Sequence, residues 1–98
     1  MAQLELTILS LGRPGTSASE YIAAAVRVAA KSGLKYELTS MGTVLEGSTD
    51  DVLRVAREMH EAPFQMGIER VYSVIKLDDR RDKSSTMEGK VASVKAKL

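Results

Sequence analysis

The chain has 98 residues, a net charge of +1 from 14 basic and 13 acidic side chains, one histidine and no cysteine. A length in this range holds a single domain, here residues 1–98, with a thin core. Balanced charge gives no ground for binding nucleic acid or a membrane surface, the missing cysteine excludes disulfides and thiolate chemistry, and one histidine excludes a multi-histidine metal site within a subunit.

Residues 3–11 alternate in polarity, with Leu4, Leu6 and Ile8 on one side and Gln3, Glu5, Thr7 and Leu9 on the other. That period predicts a strand with one buried face. Gly12-Arg13-Pro14-Gly15 is a turn cluster; it lacks the pattern of a phosphate-binding loop. Ser17 followed by Glu20 reads as a capping box, opening a helix through Ile22, Val26, Ala29 and Ala30 to Gly33, whose missing Cβ suits a left-handed C-cap.

Lys35–Ser40 and Thr43–Glu46 are predicted strands around a Met41-Gly42 corner, a connection short enough to require an antiparallel hairpin. Ser48 or Thr49 caps a second helix whose first turn carries Asp50 and Asp51 and whose apolar face is Val52, Leu53, Val55, Ala56 and Met59, with the acids complementing the helix dipole. Phe64 and Met66 extend this pattern, but Pro63 kinks or ends the helix and Gly67 closes it. Glu69–Leu77 is the fourth strand, Asp78–Lys83 a charged connection, and Thr86–Leu98 a terminal helix with Met87, Val91, Val94 and Leu98 in one stripe. The order is α+β, a ferredoxin-like βαββαβ sandwich with an additional short C-terminal helix. Its two main helices cover one sheet face. The other is expected to be open, bearing Thr7, Leu9, Glu37, Thr39, Tyr72 and Val74. An apolar open face calls for a cover, either a second subunit or a ligand.

MAQLELTILS lacks the basic start of a signal peptide. No apolar run approaches the roughly 18 residues that span a bilayer. The expected location is the cytoplasm.

The segment YELTSMGTVLEG, Tyr36–Gly47, places Glu37, Thr39, Ser40, Thr43 and Glu46 within a dozen residues of extended chain. Directed polar groups on rigid elements are what a small-molecule site requires. This hairpin, the DDRRDK run with the following Met87-Glu88, and the short length resemble the small thiamine-binding-protein family, catalogued as uncharacterised. The resemblance covers essentially the whole chain. It implies a ferredoxin-like dimer or tetramer that binds thiamine or a related pyrimidine between subunits. It places Glu37, Ser40, Thr43 and Glu46 on the family's characteristic segment and Thr7 on the strand beside it. Met41, Gly42 and Val44 stand where thiamine-binding members tend to carry small polar residues, which leaves a different small ligand open.

The expected ligand-binding residues are thus Thr7, Glu37, Thr39, Ser40, Thr43 and Glu46. Glu37 could accept from an exocyclic amine, and Thr43 could donate or accept. Tyr36 or Tyr72 could stack on a ring or face a thiazolium, a contact worth about 0.5–2 kcal/mol. The plain readings stand beside these: Glu37 and Thr39 as a solvated cross-strand pair, and Thr43 as a strand former. Asp78–Lys83 reads as a self-paired solvated segment more than as an anion site, and His60 as a surface residue. Ser10, Ser17 and Ser19 have no adjacent base in the sequence, so no catalytic residue, metal or cofactor is assigned. The sequence reads as a non-enzymatic, oligomeric small-molecule-binding protein. The alternative is a structural or regulatory oligomer that takes another ligand or a partner protein on its sheet face.

Overall fold

A computed structural model describes residues 1–10, 18–83 and 86–98. The Gly12–Gly15 turn and Ser17 of the capping box lie outside the described residues. Strand β1 (Ala2–Ser10) is followed by helix α1 (Ser19–Lys31), strands β2 (Lys35–Leu38) and β3 (Thr43–Gly47) and helix α2 (Thr49–Glu61). A short 3-10 helix (Ala62–Met66), strand β4 (Val71–Asp79) and helix α3 (Met87–Lys95) complete the order. The strands form one antiparallel sheet in the order β2-β3-β1-β4. This is the ferredoxin-like α+β arrangement with an added C-terminal helix.

The alternation of β1 sets the layers. Ala2, Leu4, Leu6 and Ile8 are buried against α1 and α2 with Leu45, Tyr21, Ala25, Val52, Val55 and Met59. Each large aliphatic side chain so buried stabilises the fold by about 1.5–3 kcal/mol. The Tyr21 hydroxyl accepts from the Ser10 amide at 3.2 Å, which ties the end of β1 to α1. Ser48 caps α2 by accepting from the Asp51 amide at 3.1 Å. Pro63 ends that helix at Glu61, and the chain reverses at Gly67, whose φ of 86° lies in the left-handed region.

Several boundaries differ from the sequence reading, among them the end of β3, which runs on to Gly47. β2 stops at Leu38, because the Thr39 side chain folds into the turn. Thr39 therefore lies in the corner, off the open face where it was expected. β4 begins at Val71 and continues to Asp79, paired with β1 as far as Ala2↔Asp79; Asp78 and Asp79 are strand residues because their partner strand starts at Ala2. The terminal helix is shorter than expected, and of its apolar stripe only Met87 is buried, whereas Val91, Val94 and Leu98 are exposed.

The face away from α1 and α2 carries Thr7, Leu9, Glu37, Tyr72 and Val74, as register dictates. One end of it is covered. Gln3, Glu46, Lys35 and Asp78 share a row across that face, and α3 is anchored over them. The Glu46 side chain is 5 % exposed and lies 3.7 Å from Lys35. Its carboxylate accepts from the Met87 amide at 3.1 Å, in the first turn of α3. A carboxylate at a helix N-terminus satisfies an otherwise orphan amide and complements the dipole. Outside this buried bond, Lys35 pairs with Glu88 and Lys90 with Asp78 at the surface.

Replacing Glu46 by Ala leaves the Met87 amide without its partner. We expect a loss of about 1–3 kcal/mol in denaturant unfolding and faster amide exchange confined to α3. The Lys35 hydrogen bond holds the Glu88 carboxyl below its ordinary 4.5, and the same contact raises Lys35 above 10.5. The contribution of Glu88 is therefore complete above its ordinary value and fades as pH falls through its lowered folded value. That of Lys35 is complete below 10.5 and fades as pH rises through the raised one. In an acid titration followed by amide NMR, the Glu88-linked shifts of α3 should appear only below the ordinary 4.5 of that carboxyl. A Lys35→Met variant should bring them back toward the ordinary value, and unchanged titration in that variant would contradict the pairing.

Candidate functional site

The β2–β3 corner is built from one hydroxyl. Thr39 Oγ1 accepts from the Met41 amide at 3.2 Å and from the Gly42 amide at 3.1 Å. It donates to the Gly42 carbonyl at 2.8 Å, the acceptor that also takes the Thr39 amide at 2.8 Å. Such side-chain-to-backbone bonds let Thr compete with a strand ladder and close a turn. A second hydroxyl fastens the corner to the central strand: Thr7 Oγ1 donates to the Met41 carbonyl at 3.0 Å. Gly42 is needed for the close approach, since a Cβ there would lie 2.8 Å from the Leu6 carbonyl oxygen and 2.9 Å from Thr7 Oγ1.

This fixed corner forms one wall of a cleft of about 290 Å³. The second half of β1 forms its floor, and Ile22, Ala25 and Val26 of α1 stand opposite, with Met59 of α2 at the back. The three-alanine run at 23–25 of α1 places a small side chain where the cleft needs room. Of the expected ligand residues, Thr7, Thr39, Ser40 and Thr43 line this cleft. Thr43 is 4 % exposed and faces the helices opposite Leu6 and Leu38. The other two are placed elsewhere. Glu37 pairs with Val44 on the open face, and Glu46 is engaged beneath α3. The structure thus brings four of the six together around the cleft at the end of the hairpin, Thr7 reaching it from the open face, and leaves both carboxylates out of its lining.

The apolar half of the cleft has no polar signature in the sequence; only the alanine run hints at it. A second arrangement was also missed. His60 Nδ1 lies 2.6 Å from Ser73 Oγ, and Phe64 meets the imidazole edge-on at 5.5 Å between ring centres. His60 is therefore half-buried rather than a free surface residue, and it clamps the end of α2 to β4. Nothing local in the sequence signals a contact between residues thirteen apart.

Asp78–Lys83 is largely self-paired: Arg80 holds Asp82 with two bonds of 2.6 and 3.1 Å, and Arg81 reaches Asp79 at 2.7 Å. Arg81, with help from Thr49, holds the Asp79 carboxyl below the usual range, and Arg80 does the same to Asp82. These groups are solvated, so the pairs contribute little to stability. Among the described residues no group of His, Cys, Asp and Glu could hold a metal ion. No described helix is long and apolar enough to cross a membrane.

Gly42→Ala forces the corner away from Leu6 and Thr7. We expect a destabilisation of about 1–3 kcal/mol in urea unfolding, with loss of the Thr7–Met41 bond seen in the Thr7 NMR signals. An unchanged midpoint would contradict the close approach.

A family model described as thiamine-binding protein matches residues 4–95. The UPF0045 protein of Methanothermobacter thermautotrophicus is 43% identical over 99 residues, covering 100% of each chain. The crystal structure of the hypothetical protein MJ1052 from Methanocaldococcus jannaschii superposes with a TM-score of 0.85 at 38% identity, covering 96% of this chain and 95% of that one. A Thermotoga maritima protein, named as a candidate for thiamine biosynthesis or salvage, shares the fold with a TM-score of 0.78 at 19% identity over 95% of this chain and 97% of its own. With one family model matching nearly its whole length and a relative aligned end to end, this chain belongs to the thiamine-binding protein family.

Proposed function

We propose that this protein is a non-enzymatic binding protein of the cytoplasm that holds thiamine or a related pyrimidine, and that its working form is a dimer or tetramer with the ligand at a subunit interface. The observation that carries the reading is the hairpin cleft: a preformed space beside a rigid corner, lined by Thr7, Thr39, Ser40 and Thr43 and walled by apolar side chains. A few fixed polar groups in a mostly apolar concavity are the usual composition of a small-molecule site. Membership of a family described as thiamine-binding supports the ligand class. The cleft opens beside β2, an edge strand of the sheet, so a neighbouring subunit at that edge would close its mouth.

The structural or regulatory alternative is favoured by a separate observation. Leu9, Tyr72 and Val74 are exposed on the open face, and Val91 and Val94 of α3 are exposed as well. A cluster of this kind marks an interaction surface more often than bare solvent contact.

Native mass spectrometry of protein purified without added ligand, before and after adding thiamine, separates the two. An oligomer gaining one thiamine mass per subunit or per dimer is the expected result. An oligomer that ignores thiamine, with no heat in a titration reaching millimolar ligand, would favour the alternative. A strict monomer would remove both.

A further inference from the structure

We infer that α3 is a strap docked in competition with Gln3: it lies on the sheet by engaging two carboxylates that the Gln3 amide would otherwise bind, and it opens as one unit while the four strands and the other helices stay folded. This holds whatever the hairpin cleft binds.

The first ground is how α3 is held. It is nine residues long, shorter than the roughly 12–15 residues that an isolated helix needs to persist in water. Apolar packing supplies little of the missing support, because Met87 is its one buried residue and Val91 and Val94 are exposed. Its first turn is what ties it down. Glu46 accepts from the Met87 amide, Lys35 pairs with Glu88, and Lys90 pairs with Asp78. Both ion pairs are solvated at each end, so they are weak and open to screening by salt.

The second ground is what docking leaves unsatisfied. Gln3 lies directly opposite Glu46 on β3 and Asp78 on β4. Cross-strand neighbours on one face stand close enough for their side chains to meet, and an amide nitrogen is a donor that suits either carboxylate. Yet Gln3 Nε2 is buried and makes no hydrogen bond among the described residues. The acceptors on either side of it are turned to α3. Glu46 gives one oxygen to the Met87 amide and faces Lys35 with the other, and Asp78 is paired with Lys90.

A buried donor without an acceptor opposes the state that contains it. When Met87 and Lys90 leave, Glu46 and Asp78 become free to accept from Gln3, while Lys35 stays beside Glu46. The two sets of contacts exclude one another, which makes α3 a two-state element with its docked form under a built-in opposing bias. Its position gives the states different surfaces. Docked, α3 covers the Gln3–Glu46 end of the open face and leaves the Leu9, Tyr72 and Val74 end accessible. Undocked, it uncovers the whole face.

The test is amide hydrogen exchange of the full chain, read by NMR. The Met87, Gly89 and Lys90 amides, bonded to Glu46 and Thr86, report on the anchored turn, and the amides of β1 and β3 report on the domain. The three are expected to exchange together and faster than the sheet, at a rate that low urea does not alter, as for a local opening. Raising sodium chloride from about 0.02 M to about 0.5 M should speed them about two- to tenfold. Exchange in step with the sheet, or at a rate indifferent to salt, would overturn the strap. Gln3→Met keeps the side-chain length and removes the amide, so it tests the competition. It should slow the three reporters about five- to thirty-fold without lowering the urea midpoint. Unchanged or faster exchange, or a lowered midpoint, would mean that Gln3 does not oppose docking and would overturn the assignment. Lys90→Met should act the other way, speeding the reporters and reducing their response to salt; no change in either would count against the pair as a tether.

Discussion

Strand β1 is hydrogen-bonded along both edges, to β3 on one side and to β4 on the other, and its side-chain alternation decides which face every neighbouring residue presents. Leu4 and Leu6 point toward the helices, so Leu45 and Thr43 opposite them must do the same, and so must Leu38 beyond. Gln3 and Glu5 point away, and with them go Glu46, Val44, Glu37 and Asp78. A slip of one residue in this register would exchange the two sets completely. The penalty for burying Glu5 and Thr7 in place of Leu4 and Leu6 is what holds the register fixed. The placement of both carboxylates on the open face follows from the core of β1.

Within that frame the hairpin corner is over-determined for a turn of its size. Backbone, one threonine hydroxyl from within and another from β1 all converge on Met41 and Gly42. The lost side-chain freedom of Thr7 and Thr39 is offset by hydrogen bonds that leave the corner little room to move. Two of the polar groups that look like ligand contacts in the sequence thus build the wall of the site. The remaining hydroxyls project from positions fixed by these bonds, which is the arrangement that lowers the ordering cost of binding.

Much of this was legible from residue order alone. The period-two runs, the Ser48 cap and the Pro63 break sufficed for the element sequence and for the two layers, because each signal is local and acts within a few residues. The four hydroxyl-bearing positions of the cleft were singled out, since they cluster within one hairpin and its neighbouring strand. What was not legible depended on partners distant in the chain. Glu46 looks like any strand acid until α3 is laid over it, and His60 looks solvent-facing until β4 brings Ser73 to its ring. Thr39 was assigned to a strand on propensity, and the turn it can close with its own side chain overrode that preference. The apolar half of the cleft was invisible because its residues are ordinary core positions whose incomplete packing only the assembled layers reveal.

The strand order has a consequence for solubility. The sheet ends in two unlike margins: β2, only four residues long, and β4, nine residues long with Tyr72, Val74, Ile75 and Leu77 all exposed. A long apolar margin with unpaired backbone groups is a template for strand addition by another chain. Here the margin is interrupted by Lys76, Asp78 and Asp79, each held in place by an opposite charge from Glu5, Lys90 and Arg81. Charged side chains along an edge strand disfavour its pairing with another chain, so these residues, whose ion pairs contribute little to folding stability, break up the apolar margin. Their protection is electrostatic and exposed, and it weakens as salt screens it.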